Sequence, residues 1–197
     1  MLGETLSATV LEIPLLEKVK RICCFNYDDI LDRAFAERDR TYVALFQDNR
    51  IPLEAPQTIV FYPHGFIPDP NRHSFSATDG IVLSEDDYFA LYSSPYAWAN
   101  MVQLTLLLNY TALFIGCSLL DPNVRRLLNI VANKRPDHSH YAFFRDPHYR
   151  EDAEWYQHNY AMAFREVQER LLRGLGVQPV WVHEYKEIAP ALSRLRA

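Results

Sequence analysis

The segment CCFNYDDIL, residues 23–31, ends a short apolar run abruptly in Asn26-Tyr27-Asp28 and passes at once into a helical pattern. In open α/β sheets ligands bind at the carboxyl ends of strands, so polar side chains at such an edge are placed for chemistry. Two further segments share this design. FYPHGF, residues 61–66, sets His64-Gly65 behind an apolar run, and TALFIGCSLLDPNVRRLL, residues 111–128, joins a buried strand to a Gly116-Cys117-Ser118 edge and a capped helix. Together they offer hydrogen-bonding groups, an imidazole whose ordinary pKa suits proton transfer near neutrality, and a glycine without the side chain that would block close approach. Plainer readings stand beside these. Asp28 is a good helix N-cap ahead of the stripe Ile30, Leu31, Ala34 and Phe35, His64 fits a hydrogen-bonded histidine at a strand end, and Asp121 reads as an N-cap.

The elements that must position these residues follow from periodicity. Short apolar runs with β-branched or aromatic residues predict strands at 19–25, 58–62, 112–115, 141–144 and 177–182. Ser84-Glu85-Asp86-Asp87 looks like a capping box opening a helix with Tyr88, Phe89, Leu91 and Tyr92. Asp121-Pro122 starts a second helix, with Val124, Leu127, Leu128 and Val131 on one face. A third, over 152–175, carries Tyr156, Tyr160, Ala163, Phe164, Val167, Leu171 and Leu172 at helical spacing. Alternating strands and helices predict one α/β domain over 1–197, an open, mainly parallel, Rossmann-like sheet with helices on both faces. Proline-bearing stretches at 51–57 and 68–73 flank the His64 segment, the first read as part of a small helical insertion and the second as leading into a lid or turn near the pocket.

Bulk properties exclude several classes. The chain has 197 residues, 49% of them hydrophobic and 23% charged, enough for a well-filled core. A formal charge of -5 gives no general pull toward nucleic acid or an anionic membrane. Cys23, Cys24 and Cys117 have neither disulfide-framework nor four-cysteine zinc spacing, which fits a reducing cytoplasm. Glu4 stands where a signal peptide would be positive, and the most apolar stretch, 104–120, is interrupted by Thr105, Asn109 and Gly116. His138 and His140 could face one way on a strand, but without a third ligand they read as a solvated pair. Arg125-Arg126 reads as the exposed face of its helix, and Trp155 and the nearby tyrosines as core and rim.

In this order and with these spacers, the N-Y-D turn, the H-G pair and the I-G-x-S-x-x-D-P-N segment resemble the sirtuin-like domain of the silent-information-regulator family, in its bacterial, zinc-free branch. IVLSEDDYF, residues 81–89, matches a further stretch of that family, and the resemblance runs from about Ile22 to Tyr185. It implies a domain that binds NAD and cleaves the bond between nicotinamide and ribose, of a kind associated with antiphage defence. By resemblance, Asn26 would hydrogen-bond a ribose hydroxyl or the attacking water, Asp28 would orient the nicotinamide end, and His64 would be the general base. Gly116 would let the chain approach the adenosine ribose and Ser118 would bond to it, while Asn123 would touch adenosine or face solvent.

The chain also departs from that family. Sirtuin-like domains open with a strand and a G-A-G-x-S turn whose amides hold the NAD pyrophosphate. The 18 residues ahead of Val19 contain one glycine, Gly3, and are fewer than the roughly thirty of a βα unit. The expected fold is therefore truncated at its N-terminal βα unit. NAD should bind weakly, in the millimolar range as an order of magnitude, with little or no turnover by the chain alone, and the exposed edge strand favours self-association or a partner protein. The interval 66–110 contains no cysteine, which disfavours the zinc-dependent deacetylase reading and predicts no metal. A competing reading, from a different class, is a non-catalytic nucleotide-sensing or scaffold domain with the same fold.

Overall fold

Three short parallel strands carry the segments that bear Asn26 and His64. The computed structural model describes residues 6–46, 57–67, 81–82, 84–147 and 155–196, in two units, Met1–Gln103 with Ala189–Ala197, and Leu104–Ile188. The stretch 51–56 and the whole of the second proline-bearing loop, 68–73, lie outside the described residues.

In the first unit β1 (Arg21–Cys23), β2 (Val43–Phe46) and β3 (Ile59–Tyr62) pair in the order β1-β3-β2. The central strand reads IVFY without a charged residue because all four of its side chains are buried. The ladder extends one residue past each end of β1, through Ile59 N–H to the Lys20 carbonyl at 3.0 Å and Cys24 N–H to the Phe61 carbonyl at 2.8 Å. Beyond Cys24 the chain leaves the sheet for the Asn26 turn, so the strand is shorter than the apolar run. Helix α1 (Ala8–Glu12) is capped by Ser7, whose hydroxyl accepts from Val10 N–H at 3.3 Å. Helix α2 (Ile30–Glu37) connects β1 to β2, burying Leu31, Ala34 and Phe35 as its period requires. Leu31, Phe35, Val60, Tyr62 and Phe66 form the core, with Ile13, Ile22, Tyr42 and Phe46 packed against it. Helix α3 (Glu85–Ser93) opens with the expected capping box: Ser84 Oγ accepts from Asp87 N–H at 3.1 Å while Asp87 Oδ2 accepts from Ser84 N–H at 2.9 Å.

The second unit repeats the parallel arrangement with β4 (Leu113–Phe114), β5 (His140–Arg145) and β6 (Val177–Val182) in sequence order. Helix α4 (Trp98–Asn109) precedes β4, helix α5 (Pro122–Lys134) links β4 to β5, and α6 (Trp155–Gly174) links β5 to β6. Helix α7 (Ile188–Ser193) follows, all but its first residue belonging to the first unit. Both sheets are open and all-parallel with helices around them, a Rossmann-like α/β architecture. Among the described residues no helix is long and apolar enough to cross a membrane.

Two surface readings change. The stripe Tyr160, Phe164, Val167 and Leu171 of α6 is exposed rather than core, with Leu172 buried on another face. Arg165 and Glu169 take the sheet side. The Arg165 guanidinium lies 4.9 Å from the Trp181 ring centroid and pairs with Asp146 at 2.5 Å, and Trp181 Nε1–H donates to Glu169 at 2.6 Å. Arg126 is likewise half-buried, because it donates to Asn123 Oδ1 at 2.7 Å instead of extending into water.

Candidate active site

The two candidate reactive residues follow the carboxyl ends of the neighbouring parallel strands β1 and β3. Cys23 pairs with Phe61 across β1 and β3, and Asn26 and His64 each follow three residues after that pair, past the carboxyl end of the sheet. Asn26 is exposed and His64 is buried, 6% accessible. Asp28 is exposed, and its Oδ1 accepts from Ile30 N–H at 3.2 Å, so its carboxylate serves the start of α2 in the observed geometry.

Three aromatic rings border the His64 imidazole: Phe25 at 5.3 Å between centroids, Tyr88 at 5.6 Å and Tyr27 at 6.4 Å, the last nearly parallel at 29°. The backbone fixes the segment from both sides. Gly65 N–H closes a turn on the Tyr62 carbonyl at 3.2 Å, with Gly65 at φ 93, a conformation that favours glycine. Ile67 N–H then donates to the Tyr27 carbonyl at 2.8 Å, and Val82 N–H donates to the His64 carbonyl at 3.0 Å. The Tyr27 hydroxyl donates to the carbonyl of the same Val82. Burial, and then the charge of Asp87, raise the Tyr27 pKa, which keeps that phenol a donor. Tyr27 was not among the residues singled out from sequence. Its signal there is only an aromatic residue between two polar ones.

In the second unit, Gly116 and Ser118 lie exposed just beyond β4. Gly116 has φ 69, and nothing among the described residues would meet a Cβ there within 4 Å, so conformation rather than crowding calls for glycine and the backbone lies open to approach. Ser118 Oγ accepts from Leu120 N–H at 3.4 Å. Leu119 is buried at φ 53, a left-handed conformation costing a non-glycine residue about 1–2 kcal/mol, held by the seating of its side chain. Asp121 caps α5 as its plain reading has it, accepting from Asn123 N–H at 2.7 Å and Val124 N–H at 3.0 Å. Asn123 does not face solvent: it is 2% exposed, with its Oδ1 taken by Arg126. Burial, and then Asp121, push the Cys117 thiol up, so it is a poor thiolate.

His138 and His140 do come together, with ring centroids 4.8 Å apart and planes at 88°. His140 is not a solvated residue. It is buried, and its Nδ1 accepts from Ala112 N–H at 3.1 Å, which ties β5 to the entry of β4. Burial, with His138 beside it, lowers the His140 pKa to about 4. Among the described residues no group of three or more potential metal ligands is assembled.

A family model for the SIR2-like domain matches residues 20–164, a span that includes Asn26, Asp28, His64, Gly116, Ser118 and Asn123. The chain belongs to the SIR2-like domain family. Curated relatives of this SIR2-like chain include Defense-associated sirtuin 2 of Bacillus subtilis, 29% identical over 60% of the chain and 11% of that protein. The NAD(+) hydrolase ThsA of Enterococcus faecium is 26% identical over 87% of the chain and 36% of its own length. ThsA of Bacillus cereus (strain MSX-D12) is 24% identical over 86% and 35%. The chain thus spans from about a tenth to about a third of the length of these relatives.

Proposed function

We propose that this SIR2-like domain cleaves NAD between nicotinamide and ribose, as an effector in antiphage defence. The observation that supports the reading is the parallel pairing of β1 and β3, in which the partners Cys23 and Phe61 each stand three residues ahead of Asn26 and His64. The names of the relatives supply the substrate and the setting. In the reaction the ribose–nicotinamide bond breaks, its electron pair leaves with the pyridinium nitrogen, and the sugar carbon becomes oxocarbenium-like. Water adds to that carbon. Asn26 offers an amide to orient the water or a ribose hydroxyl, and His64 takes the proton, which passes to solvent. The aromatic rings beside His64 limit its exposure to bulk water. Gly116 and Ser118 are assigned to the adenosine ribose, with an open backbone at the glycine and an exposed hydroxyl at the serine. Asp28 is assigned to the nicotinamide end and Asn123, buried with its Oδ1 accepting from Arg126, to the adenosine side. The test is incubation with NAD and chromatography of free nicotinamide. Release that depends on His64 supports the reading, whereas binding of NAD without release favours a sensing domain.

A further inference from the structure

The middle residue of the N-Y-D turn is tied both to the chain around His64 and to Val82. Tyr27 has three attachments there: its carbonyl accepts from Ile67 N–H at 2.8 Å, its ring lies along the imidazole, and its hydroxyl donates to the Val82 carbonyl. Val82 in turn donates its N–H to the His64 carbonyl at 3.0 Å. The peptide groups of Val82 therefore link the Tyr27 phenol on one side to the His64 backbone on the other.

We infer that Tyr27 is a positioning residue for His64, acting through its hydroxyl: the phenol holds Val82, and Val82 holds the backbone from which the imidazole projects. A ring that only filled space beside His64 would be replaced without loss by phenylalanine. A phenol that restrains Val82 would not, because Tyr27→Phe keeps the stacked ring and removes one donor. The distinction matters for proton transfer, where a misplaced base costs rate even when the substrate still binds. The kinetic consequence rests on the NAD-cleaving reading, but the restraint itself can be measured without turnover.

The experiment is carbethoxylation of the intact chain by diethylpyrocarbonate, followed residue by residue by mass spectrometry. His140, buried in the other unit, serves as the internal control. In Tyr27→Phe, His64 should react about fivefold faster than in wild type, the change in local opening expected from one lost hydrogen bond, with His140 unchanged. An unchanged His64 rate in Tyr27→Phe would overturn the inference, and so would an equal rise at His140, which would mean general loosening. Nicotinamide release supplies the second arm: Tyr27→Phe should lower kcat about tenfold with KM within about twofold. If the wild type releases no nicotinamide, the NAD reading fails while the modification rates still decide the role of Tyr27.

Discussion

Tyr88 meets the imidazole of His64 edge-on, with ring centroids 5.6 Å apart and planes at 63°. Residues from two separate sequence segments, FYPHGF and IVLSEDDYF, thus form one wall. The helix that delivers Tyr88 starts at the Ser84 capping box, four residues upstream, which fixes the direction of its first turn. Replacing Tyr88 by alanine opens His64 to water and should lower nicotinamide release about tenfold, whereas Tyr88→Phe retains the ring and should stay within about twofold of wild type. Steady-state kinetics on the two variants checks this.

Acid should destabilise the second unit through His140. Burial and His138 hold its pKa at about 4 in the fold, below the ordinary value of 6.5, so folding favours the neutral ring. That stabilisation is fully present above pH 6.5 and is lost as pH falls toward 4, at most about 3 kcal/mol in total. His140→Asn keeps an acceptor for Ala112 N–H without a titrating ring. Urea unfolding at several pH values should show a flatter dependence between pH 6.5 and 4 in the variant than in wild type.

Removing the cap of α5 should cost little but measurably. Asp121 satisfies two amides at the helix start, so Asp121→Ala should lose about 1 kcal/mol and Asp121→Asn should recover most of it. Chemical denaturation of the three proteins gives the comparison.

What could be read from sequence was whatever depends on neighbours along the chain. The strand at 177–182 was legible to the residue, since VQPVWV runs unbroken from the Gly176 turn to His183. Both helix starts, at Ser84 and Asp121, were legible for the same reason: a cap and its amides lie within three residues. Strand β2 was not. Its four residues, VALF, become a strand only through pairing with β3. Periodicity revealed the apolar stripe of α6 but not which side the sheet would take, because Arg165 and Glu169 are anchored by Trp181, on the next strand. At the site, Asn26 and His64 stood out as polar residues at the ends of apolar runs. Tyr27 did not, because its hydroxyl finds its partner 55 residues away at Val82.

The most direct measurement of the central claim is nicotinamide release from millimolar NAD by the wild-type chain, His64→Ala and Asn26→Ala, each first shown to be folded by circular dichroism. Wild type should release nicotinamide, slowly if NAD binds weakly, and each variant should be slower by about 100-fold or more, because each loses a polar group used at the transition state. Release by a folded His64→Ala protein at the wild-type rate, or none from wild type above the His64→Ala background at any NAD concentration, would contradict it.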